Sequence, residues 1–183
     1  FSDLLSASVG SVTQRGERFT FKADGAGNDQ ATGAQMKITG ELGAGFYIGG
    51  DIELASVDPS MASIKVLPGP EAQSPMITQA GAFMVAGDAV LGQSRRIDDS
   101  VELGIELASG MRGVGYSFDS QLGVNAGSTR VWTSGVMAEA RAHAAVWLTP
   151  HVDIDLFGGH SLLDDGHVVG VSLGIAGTPY GRD

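Results

Sequence analysis

Residues of opposite character alternate along most of this chain, and a period of two belongs to the pleat of a β-strand, not to the turn of a helix. From Ala34 to Leu42, Met36, Ile38 and Leu42 lie on one side, with Gln35, Lys37, Thr39 and Glu41 on the other. From Phe46 to Val57, Phe46, Ile48, Ile52 and Leu54 oppose Tyr47, Asp51 and Glu53. From Val101 to Arg112, Val101, Leu103, Ile105, Leu107 and Met111 oppose Glu102, Glu106 and Arg112. Further on, Trp132, Val136, Ala138, Ala140, Ala142, Ala144 and Val146 oppose Thr133, Glu139, Arg141 and His143. Val152, Ile154 and Leu156 oppose Asp153 and Asp155, and Val169, Val171, Leu173 and Ile175 oppose Gly170, Ser172 and Gly174. A weaker strand covers Leu5 to Thr13. Another runs from Ile77 to Leu91, where Asp88 falls on an otherwise apolar face, at an interface or beside a bulge.

The pattern predicts eight antiparallel strands in one domain spanning residues 1–183. Short turns join strands at Leu42–Gly45, near Ser94 to Asp99 and at Leu148–Pro150, whereas longer connectors cover about residues 14–33, 58–76 and 113–129. The last connector, Ser161 to Gly166, is short. Short turns at one end and longer loops at the other are the layout of an up-and-down transmembrane barrel. No apolar run approaches the ~20 residues of a membrane-spanning helix. Phe1-Ser2-Asp3 is no signal peptide, so if the protein is exported, this numbering begins after processing or after a segment that precedes it.

The stretch Gly45-Phe46-Tyr47-Ile48-Gly49-Gly50-Asp51-Ile52-Glu53-Leu54 resembles a strand of the small eight-stranded outer-membrane β-barrels of Gram-negative bacteria. So does Ala138 to Ile175, with its Trp147-Leu148-Thr149-Pro150-His151 turn. The resemblance implies a bacterial outer-membrane location and lipid as a partner. One departure is the ending Tyr180-Gly181-Arg182-Asp183, where such barrels usually close on an aromatic residue used in assembly.

Alternation alone fits a soluble barrel as well, with its apolar face inward. Two features favour the inverted form. Gly supplies 28 of 183 residues, about twice the usual share of roughly 7%. Many small residues fall on the polar face: Gly49, Ala55, Gly81, Gly104, Ala108, Gly110, Gly135, Gly159, Gly170 and Gly174. A wet outer face has no use for Gly in strands, while the narrow interior of an eight-stranded barrel requires small side chains. The polar face also mixes signs. Lys37, Arg112, Arg141 and His143 share it with Glu41, Asp51, Glu53, Glu102, Glu106, Glu139, Asp153 and Asp155, which predicts a network of ion pairs in the lumen. Candidates for interfacial aromatic girdles are Trp132, Trp147, Phe46, Tyr116, Phe118 and Phe157.

Net charge is −10, and no basic stripe suits nucleic acid. Cys is absent, which removes disulfides and thiolate metal sites. Gly170-Val171-Ser172-Leu173-Gly174 matches the nucleophile-elbow pattern but lies inside an alternating strand, with no His after it. Gly43-x-Gly45-x-x-x-Gly49 opens a strand instead of the helix that a phosphate loop needs. Asp153-x-Asp155 lacks the other ligands of a calcium loop. His160, Ser161, Asp164, Asp165 and His167 gather at the last hairpin, where they fit a Ser/His/acid site, a weak metal site or, preferentially, a plain Asp-Asp-Gly turn. Nothing marks a cofactor or a dedicated metal site.

The expectation is therefore a non-enzymatic outer-membrane barrel with a side-chain-filled lumen, not a general pore. It would serve as an anchor or contact an envelope protein through its long loops, above all Asp58 to Pro75 with Pro59, Pro68 and Pro70. The alternatives are a lipid-modifying enzyme at the His160–His167 rim and a soluble ligand-binding barrel.

Overall fold

The alternating segments become strands, and no helix occurs among the described residues. The computed structural model describes residues 8–14, 17–25, 30–58, 61–67 and 75–177. The strands are β1 (Ser8–Gln14), β2 (Glu17–Gly25), β3 (Gln30–Gly43), β4 (Phe46–Asp58), β5 (Met61–Val66), β6 (Met76–Arg96), β7 (Val101–Leu122), β8 (Asn125–Thr149), β9 (Val152–Ser161) and β10 (His167–Ile175). A seven-stranded sheet has the order β10-β9-β8-β7-β6-β4-β3, and a three-stranded sheet has the order β1-β2-β5.

Seven of the eight expected strands make up the larger sheet. The other, expected at Leu5–Thr13, appears as β1 and pairs with β2 instead of joining that sheet (residues 5–7 lie outside the described residues). The larger sheet is accordingly not closed: β3 and β10 are its edges. The expected long connectors also carry strand. Residues 14–33 contain β2, and residues 58–76 contain β5, which pairs antiparallel with β2. Residues 113–129 are strand on both sides of a tight turn at Gly123, whose φ of 62° suits glycine. Pro59, Pro68, Pro70 and the ending Tyr180–Asp183 lie outside the described residues. The short turns fall where expected. Between β3 and β4, Gly43, Ala44 and Gly45 all have positive φ, so two of three left-handed positions carry the residue that tolerates them.

The chain forms two compact units. Unit 1 comprises Phe1–Gln35, Glu53–Ala86 and Met111–Gly135; unit 2 comprises Met36–Ile52, Gly87–Gly110 and Val136–Asp183. Several strands contribute residues to both.

Unit 1 is built in the usual sense, apolar inside and polar outside. Phe19, Phe21, Val57, Ile77, Met84, Val114, Tyr116, Phe118 and Leu122 form its core. Phe21 and Phe118 meet edge-on with ring centroids 4.9 Å apart. Outward positions include Thr78, Asp119, Gln121, Ser128 and Arg130, all exposed. The pattern has exceptions: Leu54, Met76, Met111 and Val124 are exposed, and an aromatic cluster also faces outward. Trp132 lies 5.3 Å from Phe83, and the Arg130 guanidinium sits 5.4 Å above the Phe83 ring. Gly113 and Gly115 make room for the indole: a Cβ at either would lie 2.6–2.7 Å from its ring. Tyr116 and Phe118, expected in an aromatic girdle, are instead core residues because they share the inward register with Val114 and Leu122.

Unit 2 is built in the opposite sense. Asp51, Asp88, Glu106, Glu139, Arg141, Asp153 and Asp155 are buried, while Ile105, Val136, Val169, Val171, Leu173 and Ile175 are exposed. Val169 and Ile175 reach 85% and 81% exposure. The sheet of unit 2 is strongly curled. Arg141 on β8 and Asp51 on β4 are three strand spacings apart, about 14 Å on a flat sheet. Their side chains nevertheless approach to 2.7 Å. Asp153 on β9 also feels the charge of Lys37 on β3, five spacings away along the ladder.

Candidate functional site

The charged interior of unit 2 is the candidate site. It is assembled by strand register. Residues two apart on a strand share a face, so β8 presents Glu139, Arg141 and His143 together on its inward side. The Arg141 guanidinium is the hub. Its Nη1 donates to Asp51 Oδ2 at 2.7 Å, its Nε to Glu139 Oε2 at 2.9 Å, and its Nη2 lies 2.8 Å from the same Glu139 oxygen. Asp88 Oδ2 is 3.5 Å from Nη2, and Glu106 Oε1 is 3.6 Å from Nη1. Four carboxylates from four strands thus converge on one planar cation, whose fork of donors suits several acceptors at once.

Glu106 links this hub to a second group. Its Oε2 accepts hydrogen bonds from Lys37 Nζ at 3.0 Å and from the Tyr47 hydroxyl at 2.9 Å. Tyr47 Oη also lies 3.1 Å from His143 Nε2, and His143 Nδ1 is 3.3 Å from Asp155 Oδ1. Glycine makes this packing feasible. A Cβ on Gly104 would collide with the His143 imidazole, one on Gly92 with the Tyr47 phenol, and one on Gly174 with the Asp153 carboxylate. The chain that results, Lys37–Glu106–Tyr47–His143–Asp155, runs from β3 to β9 beside the Arg141 hub.

Of the expected polar network, Lys37, Asp51, Glu106, Glu139, Arg141, His143 and Asp155 are joined by direct contacts. Glu102 and Asp153 lie within electrostatic reach of them. Glu41 is exposed on β3. Glu53 and Arg112 belong to unit 1, where Arg112 is buried.

Two members were not anticipated. The sequence places Tyr47 on the polar face without assigning it a role. Asp88, out of place on the apolar face expected from the sequence, occupies an inward position of β6 flanked by Ala86 and Val90, and its carboxylate points at Arg141. Trp147 and Phe157, expected as girdle residues, also lie on inward positions of β8 and β9; Phe157 covers Gly170.

The last hairpin is arranged differently from a Ser/His/acid site. Consecutive strand residues point to opposite faces, so His160 is outward and exposed while Ser161 is buried. Ser161 Oγ accepts from the backbone N–H groups of Leu163 and Asp164, and Asp164 Oδ1 accepts from Gly166 N. Both residues stitch the turn. His167 faces His160 across the ladder. Ser172 sits in mid-strand between Gly170 and Gly174, away from any strand-turn-helix elbow. Set against protein-family models, curated proteins and solved structures, the chain matches none.

Proposed function

We propose that the chain is a small outer-membrane β-barrel protein that acts as an anchor or interaction module, with unit 2 in the bilayer and unit 1 in water. The observation that carries this reading is the inverted polarity of unit 2. Removing an ion from water costs several kcal/mol even after relaxation. Leaving a Val, Leu or Ile side chain in water forfeits about 1.5–3 kcal/mol each. A unit that buries Asp51, Asp88, Glu106, Glu139 and Arg141 while exposing Ile105, Val169, Val171, Leu173 and Ile175 would lose on both counts in water. Hydrocarbon around the outer face removes the second loss.

The lengths of β9 and β10 agree with this, while β6, β7 and β8, at 21, 22 and 25 residues, contribute to both units. β9 has 10 residues and β10 has 9, against roughly 9–11 for a tilted membrane-spanning strand. Trp132, Phe83 and Arg130 form the amphipathic cluster expected where such a protein meets the headgroups.

In lipid an open sheet edge is untenable, so the reading requires β3 and β10 to be joined. Seven antiparallel strands leave the two edges running in the same direction. They therefore close through a parallel ladder or through an eighth strand, the role first expected of Leu5–Thr13. A lumen filled by Arg141, Tyr47, His143 and their partners makes this an anchor instead of a diffusion pore. Recognition of an envelope partner then falls to unit 1 and the segment from Asp58 to Pro75.

The test is refolding of the full chain with and without detergent. Monodisperse β-rich protein only in detergent or lipid is expected. A stable detergent-free monomer would overturn the membrane reading.

A further inference from the structure

We propose that His160 and His167 form a chelating site for a divalent transition-metal ion, of the zinc, nickel or copper(II) class. The two residues are direct cross-strand partners on β9 and β10. The neighbouring backbone bond from Ser161 N to Gly166 O, at 2.8 Å, makes theirs a non-hydrogen-bonded position. There opposed side chains stand closest. The rings stack with centroids 4.7 Å apart and a 33° tilt, and their Nδ1 atoms are 3.2 Å from each other.

That separation, which one N–H···N hydrogen bond spans in the metal-free chain, also fits two ligands on one ion. Two imidazole nitrogens bound to one ion at about 2.0–2.1 Å lie roughly 2.9 Å apart at a right angle and roughly 3.4 Å apart at the tetrahedral angle. A distance of 3.2 Å falls between the two, so an ion that displaces the shared proton needs only a reorientation of the two rings, with the ladder as it stands. Neutral imidazole is the ligand form, and it suits Zn, Ni and Cu over the oxygen-seeking Ca and Mg.

The surroundings help. Residue 140, opposite His160 on β8, is alanine, so nothing bulky covers the pair from that side. The turn is held by Ser161 and Asp164, which fixes the ladder that presents the two rings. Both rings are exposed at the hairpin end of the ladder, next to the turn at 162–166, where water can complete the coordination sphere. The site needs only the β9–β10 ladder and is independent of whether unit 2 lies in a membrane.

The experiment is titration of the refolded full chain with Cu²⁺, read by electron paramagnetic resonance. The expected spectrum shows two nitrogen ligands at one ion per chain. His160→Ala and His167→Ala should each weaken binding by roughly tenfold or more, because the second imidazole is supplied at high effective concentration by the first. His151→Ala, which removes an exposed histidine elsewhere, should change nothing. Zn²⁺ should compete for the same site. His167→Asn serves as a second variant that keeps a polar side chain at the position. The proposal fails if a spectrum of one nitrogen is found in the unmodified chain, if either single variant binds as tightly as it, or if binding disappears with His151.

Discussion

Arg141 Nη1 lies 2.7 Å from Asp51 Oδ2 although two strands, β7 and β6, run between theirs in the sheet. The contact therefore reports both a curled sheet and a filled interior. It also bears on the energetics of unit 2, because four of its buried carboxylates are held near the same guanidinium.

Removing that guanidinium strands several buried anions. Arg141→Met should destabilise the protein by about 3–5 kcal/mol, the cost of breaking a buried ion pair from one side. Combining it with Asp51→Asn and Asp88→Asn should recover much of the loss. Equilibrium unfolding in denaturant measures both; a single variant as stable as the parent would show that the hub is not a brace.

Space is tested at glycine. Gly104→Ala places a methyl into the His143 ring, so it should cost about 1–3 kcal/mol by overpacking. His143→Ala in the same chain should relieve the clash. At Gly40 on β3 nothing lies within 4 Å of an added Cβ. There the same change should be neutral or stabilising by up to about 1 kcal/mol, the usual difference between Gly and Ala in a strand. Thermal midpoints of the three variants settle the contrast.

In unit 1, Phe21→Ala and Phe118→Ala should each cost about 3–5 kcal/mol as buried aromatics. Their edge-on contact should appear in a double-mutant cycle as a coupling of about 0.5–1.5 kcal/mol. Zero coupling would contradict the ring geometry.

Between β6 and β7, the Asp98 carboxylate accepts from Ser100 N and Val101 N, both at 2.8 Å, and from Ser100 Oγ at 3.2 Å. These donors hold its pKa below the ordinary value, led by the Ser100 backbone N–H. A carboxyl whose folded pKa is depressed contributes stability that is fully present above its unfolded pKa and lost as pH falls through the folded one. Acid titration of stability in the parent and in Asp98→Asn should differ by this contribution, with the variant less sensitive in the acid range.

The strands of unit 2 could be read from the sequence because one side is uniformly apolar and the other charged or small. Two of the features that the sequence hides share a physical origin. On β7 the even-numbered residues face inward throughout, but the inward environment is charged at Glu106 and apolar at Val114, Tyr116 and Phe118. A reader following apolar residues sees Leu107 and Met111 on odd positions, then Val114 on an even one. The phase slips, and a strand passes for a loop at residues 113–129. Asp88 looks out of place for the same reason, since Met84 and Asp88 share one inward face with different interiors. β2 is hidden for another reason: Phe19 and Phe21 make too short an alternation to stand out from a polar connector. The His160–His167 pairing depends on register, which turn composition alone did not fix.

The most direct measurement places an environment-sensitive probe at Val171 and, in a separate variant, at Asp119, and reconstitutes each in vesicles containing brominated lipid. Val171 lies on the exposed apolar face of unit 2, and Asp119 on the polar outside of unit 1. Strong quenching at Val171 with little at Asp119 is the expected result. Equal, weak quenching at both, with Val171 open to aqueous quenchers, would contradict a unit 2 embedded in lipid.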